Sequence, residues 1–194
     1  MVAFVLGNGL SRLDYDIEYL KRRGKVYACN AVFRTHEVDV LVATDLPIAT
    51  EIQNTGYSKK NRFYTRRPLP EKGALSVPKE VFGFSSGPIA VKLSVLDGNN
   101  QIYLLGFDMG PKADGKFNNV YADTQYYKPS YAPQTYAGNW TRQLCSVINE
   151  SNHVKFFRVH GETTENLSEF DTVLNLNKID SETFKLRLNT GKDL

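Results

Sequence analysis

The chain has 194 residues, about one domain at roughly 150 residues per domain, and its 41% hydrophobic and 23% charged residues exclude wholesale disorder. Twenty-four Lys and Arg against 21 Asp and Glu leave a net charge of +3, too small to demand a polyanionic partner. Two cysteines and three histidines exclude a disulfide framework and a Cys/His metal spacing, and no apolar run reaches the ~18 residues of a membrane span.

Residues 2–6 form a short apolar run closed by Gly7-Asn8-Gly9, the pattern of a buried strand. The opening residues carry no basic leader, so no signal peptide is expected and a cytoplasmic location is. Residues 11–23 have a helical period, with Leu13, Ile17 and Leu20 on one face, Ser11 or Asp14 as cap and Gly24 as stop. Residues 25–29 and 38–44 are the next two strands. The nearly continuous apolar character of the latter fits a strand covered on both faces, hence a parallel sheet. Residues 45–53 read as a short helix, 62–65 as a fourth strand, and the proline-bearing 66–84 as loop. A helix starts near Ser86-Gly87-Pro88 and runs to about Leu96, because proline is tolerated in a first turn. Residues 101–105 form a strong central strand ended by Gly106.

Residues 110–134 are rich in Gly, Pro, Asn, Lys and Tyr and have no period, which marks a lid or binding loop at about 110–135, or a disordered stretch. A helix over 136–149, a strand over 153–159 and a short helix within 162–170 follow. From Asp171 onward the pattern fits strand and helix equally. Alternating strands and helices predict one α/β domain over 1–194, with a mostly parallel sheet and helices on both faces.

Several polar corners fall at strand ends. Gly7-Asn8-Gly9-Leu10-Ser11 is a strand-to-helix turn where backbone N–H groups can approach a phosphate. The dinucleotide fingerprint wants a third glycine where Arg12 stands and an acidic residue where Asn30 stands, so NAD is disfavoured while a mononucleotide or nucleotide-sugar stays open. Asn30, after the second strand, suits a ribose, base or sugar hydroxyl. Asp45 and Asp108 follow the third and the central strand, where open α/β sheets place ligands; each also fits as a plain cap. Ser85-Ser86-Gly87 is a second anion-friendly helix entrance. The loop tyrosines Tyr121, Tyr126, Tyr127, Tyr131 and Tyr136 can donate to a phosphate or close over a base, or simply pack. Lys59, Lys60, Arg62, Arg66 and Arg67 make a basic stretch that reads first as a solvated loop, and second as a contact for an anionic acceptor or nucleic acid. His160 ends the last clear strand.

The order of four blocks, Gly7-Asn8-Gly9-Leu10-Ser11, Cys29-Asn30, Ser85-Ser86-Gly87 and Ile102 through Asp108, resembles the small bacterial sialyltransferases that act on lipooligosaccharide. A related pattern occurs in 6-hydroxymethylpterin pyrophosphokinase-like domains. The resemblance implies a single Rossmann-like domain with a flexible lid, a CMP-sugar donor as substrate, no metal or other cofactor, and a homo-oligomer. It implies Gly7, Asn8, Gly9 and Ser11 at the nucleotide, Asn30 at the nucleotide or sugar, Ser85, Ser86 and Gly87 at the donor, and lid tyrosines among Tyr121, Tyr126 and Tyr127 on the leaving phosphate. Leu10 replaces the family's proline, and Asp45 its asparagine. Residues 126–135 hold no histidine where the family has its general base, which leaves Asp108 and His160 as bases to weigh.

The expected activity is therefore glycosyl transfer from a nucleotide-activated sugar to an unknown acceptor, without a membrane span. A Mg²⁺-dependent pyrophosphokinase with the metal on Asp45 and Asp108 is the second reading. A non-catalytic nucleotide-binding or interaction module is the third.

Overall fold

In the central strands successive side chains face opposite ways, and the two sets form two cores on either side of one sheet. The structure, a computed structural model, describes residues 1–192 and 194. Its sheet has eight strands, all parallel: β1 (Val2–Leu6), β2 (Lys25–Cys29), β3 (Val40–Val42), β4 (Arg62–Thr65), β5 (Leu75–Ser76), β6 (Gln101–Leu105), β7 (Lys155–His160) and β8 (Leu176–Asp180). Their order across the sheet is β5-β4-β3-β2-β1-β6-β7-β8. The α/β, Rossmann-like expectation describes this architecture.

Ala3 and Val5 face one core with Ile102, Leu104 and Phe156, and helices α4 (Ser86–Leu96) and α5 (Gly138–Asn149) cover it. Phe4 and Leu6 face the other core with Tyr103 and Leu105. Helices α1 (Ile17–Arg23), α2 (Leu46–Asn54), α3 (Tyr57–Lys60) and α7 (Ser181–Thr190) lie on that side. Short α6 (Ser168–Asp171) precedes β8. Among the described residues no helix is long and apolar enough to cross a membrane.

Several segments differ from the sequence reading; the loop expected over 66–84 holds the edge strand β5, which pairs with β4 at Tyr64 and Thr65, and a 3-10 turn, Lys79–Val81. The helix expected over 11–23 is a 3-10 turn, Leu10–Asp14, then a break, then α1 capped by Asp16, whose carboxylate accepts from the N–H groups of Glu18 (2.8 Å) and Tyr19 (3.3 Å). Neither Ser11 nor Asp14 caps it, because Ser11 is drawn into a buried network with Asp108. Leu13 consequently faces solvent. The tail resolves into β8 and α7, because Phe184 packs on Phe4, Tyr15 and Tyr103 with ring centroids 6.1, 5.2 and 5.0 Å away.

The chain winds from β1 outward to β5, then returns through α4 to start β6 on the other side of β1. The reversal opens a crevice beyond the carboxyl ends of β1 and β6, where parallel α/β sheets place their ligands.

Candidate functional site

A cavity of about 380 Å³ lies at that crevice, within the range of small-molecule sites. Turns far apart in the chain line it: Gly7 to Gly9 after β1, Asn30 after β2, Asp45 after β3, Ser85 to Gly87 at the start of α4, and Asp108 after β6. Tyr126 and Tyr127 line it from the long loop. Ser86 joins three of these turns. Its hydroxyl receives the Thr44 N–H (3.1 Å), lies 3.1 Å from the Thr44 hydroxyl and donates to Asn30 Oδ1 (3.3 Å). Asn30 sits in the left-handed region at φ 59°, which asparagine tolerates better than most side chains.

The glycine turn has a role other than the one its sequence suggests. Gly7 N donates to Leu105 O and Gly9 N to Gly106 O, both at 2.8 Å, so these N–H groups are taken by β6 and the turn after it. Leu10 N donates to Asn118 Oδ1 (2.9 Å) and Ser11 N to Asp108 Oδ2 (3.1 Å). The phosphate cradle expected here is therefore closed by the protein itself. A Cβ at Gly7 would lie 2.4 Å from Gly106 O, and one at Gly9 2.4 Å from the Asp108 carboxylate. The glycines let the two turns meet.

Asp108 holds that meeting point. It is 3% exposed, and its carboxylate accepts from Ser11 N, the Ser11 hydroxyl, Asn118 Nδ2 (3.2 Å), Thr163 Oγ1 (2.6 Å) and Thr164 Oγ1 (3.0 Å). Buried Arg158, on β7, braces the same turn by donating to Phe107 O, Asp108 O and Glu165 O. Burial lowers its pKa to about 10, and it remains a cation at neutral pH. His160 does not line the cavity. Burial, with Arg158 and Lys178 adding to it, pushes its imidazole down to about 4, so it stands neutral at pH 7.

The long loop is anchored. Val120 N donates to Asn8 O (2.8 Å), and Asn118 Nδ2 donates to Gly110 O (3.1 Å) as well as to Asp108. Buried Arg12, standing where the dinucleotide motif has glycine, gives Nη1 to Gly7 O (2.8 Å) and Asn8 Oδ1 (3.2 Å) and Nη2 to Tyr121 Oη (2.6 Å). Tyr121 and Ser11 thus stand behind the cavity rather than in its lining.

Two lining side chains, Lys128 and Asp45, remain open for a ligand, and a third, Tyr127, has its hydroxyl buried. Lys128 brings a cation that makes no ion pair among the described residues, its Nζ lying 5.9 Å from the Phe117 ring centre. The Tyr127 hydroxyl is sealed from solvent without a hydrogen-bond partner of good geometry. Burial raises its pKa, with Cys29 pushing the same way against the nearby Ala31 N–H, so it is a neutral donor. The Asp45 carboxylate makes no hydrogen bond among the described residues, although Asp45 occupies the N-cap position of α2. Cys29 also lines the cavity, but burial raises its thiol to about 11, too high for a nucleophile at neutral pH.

Sequence reasoning missed Lys128, Asn118, Phe117 and Trp140, which also line the cavity. The first three lie in the aperiodic loop, where no spacing says which way a side chain turns. Among the described residues no three His, Cys, Asp or Glu side chains stand together as a metal site. Comparison of the chain with protein-family models, with curated proteins and with solved structures returned no match.

Proposed function

We propose that this protein is a glycosyltransferase-like enzyme that takes a nucleotide-activated sugar into the cavity at the β1/β6 crevice. The observation that carries the reading is convergence: Asn8, Asn30, Asp45 and Ser86, on four separate turns, line one cavity of about 380 Å³ together with a cation and a neutral phenol from the long loop. A phosphate is the group that Lys128 would favour, because it donates and carries positive charge. The side-chain amides of Asn8 and Asn30 would read sugar or base hydroxyls.

In the reaction the acceptor oxygen bonds to the anomeric carbon as the bond from that carbon to the phosphate oxygen breaks. The electron pair leaves with the nucleotide, and Lys128 stabilises the charge that develops there. The acceptor hydroxyl's proton needs a base. Asp108 is poorly suited, because five donors already occupy its oxygens. Asp45 is the lining carboxylate with its oxygens free, and it takes the proton in this reading.

Saturation of Asp108 also counts against the magnesium-dependent reading, which needs its oxygens as metal ligands. Titration calorimetry with CMP, CDP, UDP and GDP, each with Mg²⁺ and with EDTA, tests both. The expected result is micromolar binding of at least one nucleotide, equal in the two buffers. No heat with any of the four removes the glycosyltransferase reading, and binding only with Mg²⁺ replaces it with the phosphoryl-transfer one.

A further inference from the structure

A second recess, about 350 Å³, opens between the carboxyl ends of β3 and β4. It shares Thr44 and Asp45 with the main cavity, so the two are neighbours across one wall. Its far side is Thr65, Arg66 and Arg67. The Arg66 guanidinium is fixed by donating from Nε to Phe82 O (2.7 Å) and from Nη2 to Phe84 O (2.6 Å), both neutral acceptors that leave its charge uncompensated. Arg67 makes no ion pair among the described residues.

The backbone that carries these arginines is held in place. Buried Gln53 donates to Arg67 O (3.4 Å) and accepts from Leu69 N (2.7 Å), and Val77 N donates to Thr65 O (3.1 Å). Arg66 and Arg67 border the recess together with one carboxylate, Asp45, so the residues that line it are net positive, with the cations on the side away from the wall shared with the cavity. A ligand with an anionic group and a free hydroxyl would lie one way round: anion toward the arginines, hydroxyl toward Asp45.

We propose that this recess is the acceptor subsite and that the acceptor is an acidic sugar, one bearing a carboxylate or a phosphate held by Arg66 and Arg67, with its nucleophilic hydroxyl presented to Asp45. The proposal rests on the transferase reading of the neighbouring cavity. It names the acceptor class, which the donor cavity does not reveal. In the transfer, the acceptor O–H bond breaks and its proton passes to Asp45. The new bond from oxygen to the anomeric carbon forms as the bond to the departing phosphate breaks, and Asp45 later returns the proton to water.

The test is an amide-resolved NMR titration of the ¹⁵N-labelled full chain with four probes: lactose, 3′-sialyllactose, galactose 6-phosphate and inorganic phosphate. The expected result is shifts at Thr44, Thr65 and Arg67 with one or both acidic sugars, none with lactose, and weaker binding of phosphate alone. R67Q, altered at an exposed side chain, should weaken the acidic sugar by about tenfold, the loss of one charged hydrogen bond, while nucleotide affinity measured by calorimetry stays within twofold. Shifts with lactose equal to those with the acidic sugars, phosphate matching galactose 6-phosphate, no response at these amides, or an unchanged R67Q each overturn the subsite. Which acidic sugar responds separates a carboxylate acceptor from a phosphorylated one. Because the titration needs no nucleotide, its failure with nucleotide binding intact sinks the subsite alone. Failure of the nucleotide panel sinks the transferase reading whatever the sugars do.

Discussion

Replacing Asp108 with alanine separates a structural carboxylate from a catalytic one. The substitution strips the acceptor from the Ser11 N–H, the Asn118 amide and the hydroxyls of Ser11, Thr163 and Thr164. The three hydroxyls can rotate toward other partners or water, and the Asn118 amide keeps Gly110 O and Thr163 O as acceptors. The Ser11 N–H is fixed by the backbone, and a buried donor left unmade costs about 1–3 kcal/mol. Loss of the charged acceptor to the other donors adds to this and relief of the carboxylate's own desolvation offsets part of it, so a net loss of about 2 kcal/mol is expected. With a urea slope of about 2 kcal/mol/M, the unfolding midpoint falls by about 1 M. Thr163→Val, which removes one donor, should cost only about 1 kcal/mol. The assay is equilibrium urea unfolding followed by tryptophan fluorescence. A D108A protein within about 0.5 kcal/mol of the parent, yet with nucleotide affinity or turnover abolished, would refute the structural assignment and restore Asp108 as a reacting group.

Three further outcomes follow from the same geometry. His160 has a folded-state pKa of about 4, depressed by burial and by Arg158 and Lys178; below an ordinary value of about 6.5 the unfolded chain therefore binds more protons. Stability should fall by about 1–2 kcal/mol as pH drops from 7 toward 4.5, a figure discounted for partial exposure, and urea midpoints of H160Q should show a flatter profile over that window. Arg12→Met unties the Tyr121 hydroxyl and Gly7 O, so it should cost about 2 kcal/mol and hasten tryptic cutting within 110–135; an unchanged cleavage rate would show that the loop is held elsewhere. Tyr127→Phe removes a buried hydroxyl that has no hydrogen-bond partner of good geometry among the described residues, so stability should hold or rise by up to about 1 kcal/mol; a clear fall in the urea midpoint would show that the hydroxyl is already satisfied.

The central strands were legible because a strand covered on both faces must be apolar at nearly every position, as Val2–Leu6 and Gln101–Leu105 are. Edge strands lose that signature. In β8, Leu176–Asp180, only Ile179 is buried, and the two-residue β5 has no buried side chain at all. The break before α1 was illegible for another reason: the partner of Ser11 is Asp108, 97 residues away, and no local pattern encodes such a pairing. Arg158 was hidden in the same way. A charged residue in a strand reads as a solvent-facing position, whereas here it is 3% exposed and binds carbonyls of the turn after β6. The residues that meet at the cavity could be named because strand ends are where glycine, asparagine and serine collect. What each does there depends on which hydrogen bonds the fold has already made.

Asp45 and Asp108 show why that dependence matters. Each carboxylate follows a strand that runs toward the crevice, and in the sequence they are interchangeable candidates for metal ligand, base or cap. Asp108 stands at the switch point itself, where the turns after β1 and β6 must approach closely enough to exclude even a Cβ at Gly9. One backbone N–H, three hydroxyls and a side-chain amide crowd together there, and a carboxylate is the acceptor that can satisfy all of them at once. Asp45 stands two strands away, after β3, where α2 starts without using its side chain. A buried network holds the first carboxylate in one position, which suits scaffolding. The second has both oxygens open on the wall between two recesses, and a base must be able to gain and lose a proton there without unfolding the turn that carries it. The same topology that gathers the polar turns thus divides them, with the innermost carboxylate holding the crevice closed and the outer one free for chemistry.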